Sequence, residues 1–409
     1  MEWKEVRLGD IVSIKSGLAY KGAFIGKGEN ILLGMGCVSF KDKFLFSGAR
    51  PYEADCDDKY CVEPGDIVLA TRQQSDNLPI LAMPAIIPSS LKAKKIIYGT
   101  NLYKVENHSE VTNDFLFWQL KMPDYIDYIS SVKTGSVVRM VTKKNVEDYV
   151  FRCPPKEVRD RISKLLWGLD RKIELNNKIN ADLEEMAQAI FKNWFVDFEL
   201  FKDSKFVDSE LGMIPEGWKV GRLGDFCKCL LGGTPSRSKE EYWNGDVNWI
   251  NSSEINKFRI LEASEKITEL GLSKSATKLL PKKTTVLAIT GATLGQVSLL
   301  EIDTCANQSV IGVLENAEVP YEYIYPFIKD RIEMLIQHQT GGAQQHINKD
   351  NVESLIFLLP AKNVLENYIS LVGPMYKRIE SQCFENLYLS TLRDTLLPRL
   401  MSGELEVPE

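Results

Sequence analysis

Apolar residues along the chain follow two periods. Up to about residue 154, and again from 216 to 360, they come as short runs bounded by turn formers: Ile67-Val68-Leu69-Ala70 follows Pro64-Gly65-Asp66, and Val286-Leu287-Ala288-Ile289 follows Pro281. Runs of that length between such punctuation predict strands with tight turns. A few helices interrupt them, among them Asp114 to Gln119 and Tyr323 to Gln337. After Pro154-Pro155 the period changes. Ile162, Leu166, Leu169, Ile173, Asn176, Asn180, Leu183, Ala187, Ile190 and Trp194 step by four and three, the seam of a coiled-coil helix sustained over four heptads. The spacing predicts one helix from about Lys156 to Phe195, roughly 60 Å long at 1.5 Å per residue.

The chain then says the same thing again. Trp3-Lys4-Glu5-Val6-Arg7-Leu8-Gly9-Asp10 returns as Trp218-Lys219-Val220-Gly221-Arg222-Leu223-Gly224-Asp225. Thr134-Gly135 through Pro154 returns without a gap, 206 residues later, as Thr340-Gly341 through Pro360. The seam repeats with the same shift as Val372, Met375, Ile379, Gln382, Asn386, Leu389 and Leu396. Asn176 corresponds to Gln382 and Asn180 to Asn386, so amides hold seam positions where stability alone favours leucine. Polar seam residues fix register and partner number at a cost in stability. The expectation is a pair of long antiparallel helices holding two look-alike lobes apart about an approximate two-fold axis. The alternative is two amphipathic helices, each packed on its own lobe, with the amides facing water. Gly373-Pro374 stands where the first helix has Trp167-Gly168, and an interior proline predicts a bend near Pro374. Matching ends with dissimilar middles describe one architecture used twice with different contents. That suits a partner two-fold symmetric in backbone but not in sequence, as duplex DNA is.

Composition narrows the class. At 409 residues, 44% apolar and 26% charged, the chain can bury a sizeable core and should hold two domains plus connecting elements. No basic and apolar leader follows Met1, and apolar stretches such as Ile80 to Ile87 fall far short of a membrane span, so a cytoplasmic location is expected. Eight cysteines include no C-x-x-C pair and the chain has three histidines, so no metal site is expected and the cysteines read as reduced packing residues. A net charge of −6 argues against a surface basic all over. Residues 1–150 carry 19 Lys/Arg against 19 Asp/Glu, and residues 216–360 carry 15 against 18. Attraction to phosphates therefore has to come from local patches or from another subunit.

Base readout needs side chains that match base edges: Arg for guanine, Asn or Gln for adenine, small hydroxyls for either. Three places collect them. Arg72, Gln73, Gln74 and Asn77 follow a strand of the first lobe, and their counterpart after Ile289, Thr290 to Gln296 with Thr293, is smaller and uncharged. Ser136 and Arg139 with Lys143 and Lys144, and Gln344, Gln345 and His346 with Lys349, are paired by the ungapped repeat. Glycine lets such a loop approach a backbone closely, and lysines suit phosphates. Arg139, Gln344 and Gln345 are expected at bases or groove edges and the lysines at the DNA backbone. Ser236, Arg237 and Ser238 form a third candidate without an equivalent in the first half. A solvated polar loop is the competing role for Arg72 to Asn77, and helix capping and lobe closure compete for the glycine segments.

No catalytic residues are expected. The only Pro-Pro, Pro154-Pro155, lies in no [ND]-P-P-[YF] motif, Gly34-Met35-Gly36 is a lone G-x-G, and neither a phosphate-binding G-x-x-x-x-G-K-[ST] nor an H-E-x-x-H is present.

Asn193-Trp194-Phe195-Val196-Asp197-Phe198-Glu199, the stretch from Glu210 to Asp225 reading ELGMIPEGWKVGRLGD, and LLPRLMSGEL from Leu396 to Leu405 resemble the boundary signatures of the specificity subunit of type I restriction-modification systems. The central helix from Lys172 to Phe195 is similar as well, and the resemblance runs the full length in the family's order. It implies an α+β fold: two β-rich target-recognition lobes related by pseudo-two-fold symmetry, separated by a pair of long antiparallel coiled-coil helices. The expected division is a first target-recognition domain at 1–154, a spacer helix at 155–200, a linker at 201–213, a second recognition domain at 214–360 and a C-terminal spacer helix and tail at 361–409. It also implies a subunit without catalysis that recognises a bipartite, asymmetric double-stranded DNA target. The paired helices would dock two modification subunits, which methylate adenine with S-adenosylmethionine. Restriction subunits, motor-nucleases using ATP and magnesium, would join them, and no cofactor would bind this chain. The alternative is a duplicated protein-binding scaffold that never touches DNA.

Overall fold

The computed structural model describes residues 3–74, 79–337 and 346–407. Its contacts divide the chain into two compact units, Met1–Lys172 with Leu389–Glu409, and Ile173–Tyr388. Each lobe thus shares its unit with a stretch of both long helices.

The first lobe runs through β1 (Lys4–Arg7), β2 (Val12–Ser16), β3 (Ile25–Leu33), β4 (Ala49–Tyr52), β5 (Cys61–Val62), β6 (Ile67–Ala70), β7 (Arg72–Gln73), β8 (Pro84–Ile86), β9 (Ile96–Tyr98) and β10 (Leu102–Asn107). Helices α1 (Asn113–Gln119) and α2 (Pro123–Val132) follow, then β11 (Arg139–Met140), α3 (Lys143–Glu147) and β12 (Val150–Cys153). One sheet has the order β2-β10-β6-β8 and another β4-β3-β9-β5, with β3 and β9 parallel. The run Ile67 to Ala70 is apolar throughout because β6 is buried on both faces. Ile67 and Leu69 join the core under α1, while Val68 and Ala70 join the core of the second sheet. Helix α1 starts where the Thr112 hydroxyl accepts the Phe115 N–H, and Phe115, Leu116, Phe117 and Trp118 are all buried.

Helix α4 spans Lys156–Phe195. The second lobe has β13 (Phe206–Ser209), β14 (Gly212–Pro215), β15 (Lys219–Arg222), α5 (Leu223–Phe226), β16 (Lys228–Leu231), β17 (Trp243–Ile250), β18 (Glu265–Ile267) and α6 (Glu269–Ser273). Then come β19 (Leu279–Leu280), β20 (Thr285–Ala288), β21 (Val297–Leu299), β22 (Thr304–Ala306), β23 (Val310–Leu314), α7 (Tyr321–Gln337), α8 (Lys349–Glu353), β24 (Ile356–Leu359) and α9 (Lys362–Met401). Its sheets are β16-β23-β20-β21 and β18-β17-β22-β19, with β17 and β22 parallel. These two sheets repeat the strand order of the first lobe's two four-stranded sheets, whereas the β7–β11 pair has no counterpart among the described residues of the second lobe. Residues 201–213, expected as a linker, carry structure: β13 and β14 pair as a hairpin, and Phe198 and Phe201 pack edge-on against Trp218.

The repeated sequence ends explain themselves here. Strand β1 pairs antiparallel with β12, Lys4 opposite Cys153, and β15 pairs antiparallel with β24, Lys219 opposite Leu359. The segments that match between repeats are therefore those that close each lobe, and the dissimilar middles are what the closure encloses.

Within the second unit the long helices run antiparallel. Asn176 Nδ2 donates to Asn386 Oδ1 at 2.9 Å and to Glu385 Oε2 at 2.7 Å, Gln382 Nε2 donates to Asn176 Oδ1 at 3.1 Å, and Asn180 lies against Cys383. Asn176, Asn180 and Gln382 are buried, so the amides face one another rather than water. At the far end of this stretch Phe191 and Phe195 pack on Tyr368. Helix α9 is continuous through Gly373-Pro374, so the proline does not break it.

The buried stripe differs from the seam read at a strict heptad. Ile162, Leu166, Asn176, Asn180, Ala187, Val372, Ile379 and Gln382 are buried, but Leu169, Ile173, Leu183, Ile190, Met375, Asn386, Leu389 and Leu396 are only half-buried. Asp170, Glu184, Phe191, Tyr376, Cys383 and Leu397 occupy the interior instead. A straight helix drifts about 20° per heptad against a repeat of 3.5. The stripe therefore slides toward whichever lobe packs on it.

Buried ion pairs join each lobe to its helix stretch. In the first unit Asp170 accepts from Arg393 at 2.5 Å, and Lys43 stands 3.5 Å from its other oxygen. In the second, Arg259 donates to Glu184 at 2.6 Å and Lys329 donates to the same carboxylate at 2.9 Å. Burial alone would raise the Glu184 carboxyl, but Arg259 and Lys329 outweigh it and hold the group below the usual carboxylate range.

The amide cluster makes a testable case. Asn176→Leu should leave the amides of buried Gln382 and half-buried Asn386 without this partner and cost about 1–3 kcal/mol. Replacing Asn176, Gln382 and Asn386 together by leucine should recover that loss or exceed the parent in stability. Urea titration of the three proteins distinguishes these outcomes, and a single variant as stable as the parent would contradict the pairing.

Candidate nucleic-acid interface

Two of the candidate segments of the first lobe, far apart in sequence, meet in space. After β6 the chain enters β7, which pairs with β11 so that Arg139 lies opposite Gln73 and Met140 opposite Arg72. The segment 134–140 closes on itself through paired backbone hydrogen bonds of 2.9 Å between Thr134 and Met140. Gly135 turns it at φ +92°, where an added Cβ would lie 2.1 Å from the Val138 carbonyl oxygen. Arg139 is half-buried and its guanidinium donates to the Gly135 carbonyl, bracing its own loop. Arg72, Gln74 and Ser136 are exposed, and Val137 stands out at the tip. Gln73 is a correction to the sequence reading. It is buried with its side-chain oxygen accepting the Leu81 N–H at 3.2 Å, because β7 alternates and only one of its two residues can face outward. Asn77 lies outside the described residues.

Lys143 and Lys144 open α3, whose N-terminus is capped by the Thr142 hydroxyl accepting the Asn145 N–H. Both lysines are exposed and neither forms an ion pair among the described residues. With Arg72 they are the mobile-headed cations of this edge, a suitable set for phosphates.

The second lobe repeats the arrangement with other side chains. The Ile347 N–H donates to the Ile289 carbonyl at 3.0 Å, just as the Val141 N–H donates to Thr71 in the first lobe. Thr293 is half-buried in a short turn, and the exposed Gln296 follows it. His346 is exposed. Lys349 is drawn to Glu353 at 3.0 Å, which raises its ammonium and removes it from the set of uncommitted charges. Gln344 and Gln345 lie outside the described residues.

Arg237 also departs from expectation. Its guanidinium holds both oxygens of Glu265 and lies 3.6 Å above the Trp243 ring, and this pairing holds the Glu265 carboxyl below its ordinary range. The arginine is committed within its lobe, because a bidentate carboxylate and an aromatic face satisfy it without any partner. Ser236 and Ser238 remain exposed, their hydroxyls 2.9 Å apart. An open cavity of about 530 Å³ lies beside Arg237, Trp243, Asn244 and Lys266.

One structural feature escaped the sequence reading. The β9–β10 turn and the β22–β23 turn stand beside these loops: Thr71 N–H donates to Asn101 at 3.0 Å and Ile289 N–H to Ser309 at 2.9 Å. Polar Gly99-Thr100-Asn101 and Asn307-Gln308-Ser309 between two buried strands were the available signal. Among the described residues no cluster of His, Cys, Asp or Glu could hold a metal ion, the eight cysteines are free thiols, and no helix is long and apolar enough to cross a membrane.

Comparison with known proteins agrees with this picture. The family model for the type I restriction modification DNA specificity domain matches residues 1–185 and 215–367. The type I restriction enzyme HindI specificity subunit of Haemophilus influenzae is 25% identical over 472 residues, covering 99% of this chain and 100% of that protein. The MjaIX specificity subunit of Methanocaldococcus jannaschii is 27% identical over 304 residues, 73% of this chain and 70% of that protein. The crystal structure of a type I restriction-modification S subunit from M. genitalium shares the fold, with a TM-score of 0.56 at 14% identity over 98% of this chain and 96% of that one.

The site residues divide into two thermodynamic classes. Gln73→Ala should destabilise the first lobe by about 1–3 kcal/mol, since it strands the Leu81 N–H. Lys143→Ala with Lys144→Ala should change stability by less than about 0.5 kcal/mol. Chemical denaturation reads both, and equal losses would contradict the division.

Proposed function

The chain belongs to the type I restriction-modification DNA specificity family, and on that footing we propose that its two lobes each read one half of a bipartite, asymmetric DNA site. As a specificity subunit it is a non-catalytic component that assembles with other subunits and DNA. One observation carries the proposal: two lobes of the same strand order present unlike side chains from the same loops. Arg72, Gln74 and Ser136 on one side and Thr293, Gln296 and His346 on the other differ in size and charge, as readers of two different half-sites must.

The division of labour follows from chemistry. Exposed Lys143 and Lys144 meet phosphates and set register, while the loop residues meet base edges. With a chain charge of −6, much of the attraction to DNA comes from these patches and from partner subunits. The long helices dock two modification subunits, which methylate adenine using S-adenosylmethionine, and restriction subunits supply ATP- and magnesium-dependent cleavage. This chain itself carries no cofactor. The lengths of α4 and α9 set the length of the unread spacer.

Exchanging residues 11–150 for the corresponding lobe of a relative should change one half of the methylated motif and leave the other intact, as read by single-molecule sequencing of adenine methylation. A change in both halves would end the claim of independent readers. Inserting one heptad into each long helix should lengthen the spacer by roughly 10.5 Å, about three base pairs. An unchanged spacer would separate helix length from spacing, and a complex indifferent to sequence would favour a protein scaffold that never reads DNA.

A further inference from the structure

We propose that Gln308 and Thr234 form a donor–acceptor pair that reads one adenine in the half-site of the second lobe, an assignment that rests on the reading above. Neither residue belongs to the loops that the repeat singles out. The turn that carries Gln308 is nevertheless closely framed by backbone contacts.

In both lobes the same backbone bonds build it. Leu102 N–H donates to Gly99 at 2.9 Å and Val310 N–H to Asn307 at 3.1 Å, closing equivalent turns. Gly17 N–H donates to Leu102 and Gly232 N–H to Val310, so the chain leaving β2 or β16 lies against the turn. The approach is close enough that a Cβ on Gly17 would stand 2.2 Å from the Gly99 carbonyl oxygen, and one on Gly232 2.1 Å from that of Asn307. The Asn307 side chain accepts the Ser309 N–H at 3.1 Å and stiffens the second turn further. The frame is common to both lobes, but its tips are not. The first lobe shows an exposed Thr100 with Ala19, and the second an exposed Gln308 with Thr234.

Thr234 Oγ1 donates to Gln308 Oε1 at 2.5 Å. That bond fixes the glutamine amide and assigns roles. With its oxygen taken, the exposed Gln308 keeps its side-chain NH₂ as a donor, and the Thr234 oxygen, its proton engaged, keeps lone pairs as an acceptor. A donor beside an acceptor complements an acceptor beside a donor, which in the major groove is the N7 and N6 edge of adenine. Guanine would set its O6 against the threonine lone pairs, and thymine and cytosine lack one of the two partners. Holding the amide before DNA arrives removes part of the ordering cost that a free glutamine would incur.

The test uses the chain assembled with its partner subunits, with the methylated motif read by single-molecule sequencing and checked by competition binding to duplexes altered at one base pair. Thr234→Ala with Gln308→Thr installs the first lobe's own residues on a backbone of the same geometry. Adenine preference at one position of one half-site should fall roughly ten- to hundredfold while the other half-site stays unchanged. Gln308→Glu, which keeps the length and exchanges donors for acceptors, should turn against adenine at that same position. An unaltered preference in the glutamate variant, or equal weakening at every position in either variant, overturns the proposal. A parent complex that yields no split motif would overturn the functional reading itself, and the inference with it.

Discussion

Each lobe depends on one constraint, the antiparallel pairing of its first strand with its last. Bringing Lys4 beside Cys153, or Lys219 beside Leu359, closes a long loop, and that costs chain entropy. The cores inside repay it: Phe151 and Phe357 on the closing strands are buried against the aromatic and aliphatic side chains of their lobes. Once closed, the frame leaves the connections between strands free to vary. Two lobes with one strand order and different loop chemistry are the consequence.

The helices add a second constraint of the opposite kind. Where Asn176, Asn180 and Gln382 are buried, the pair gives up apolar burial for amide contacts that only one register satisfies. The side chains of Asp170 and Glu184, on the same helix, are nearly enclosed and meet cations from the lobes, Lys43 and Arg259 respectively. A buried charge of this kind is expensive unless paired. Lobe and helix stretch are thereby fixed in a single arrangement within each unit, and side chains on loops inherit that precision from the frame below them.

Much of this was legible in one dimension. Ile67 to Ala70 reads as a strand because its apolar run is short and bounded by Pro64-Gly65-Asp66, and β6 occupies those residues. The long helix read from Lys156 to Phe195 is α4. Individual side chains were less legible. Gln73 and Arg72 are neighbours of similar polarity, yet strand alternation sends one inward to Leu81 and leaves the other outside. Arg237 looks like a base reader until Glu265 and Trp243, distant in sequence, claim it. Leu169 belongs to an ideal heptad, and Asp170 takes its place because Arg393 and Lys43 are there to receive it.

The duplication, the strand and helix periods and the family can be read along the chain alone, since they are properties of spacing and of repeated phrases that survive without contacts. Which polar residues remain available to a ligand is set by packing in three dimensions. Availability depends on what the rest of the fold places within hydrogen-bonding distance, as Thr234 is placed beside Gln308 and Glu353 beside Lys349. A hydrogen bond reaches about 3 Å, and no periodicity along the chain records which distant residue will stand that close.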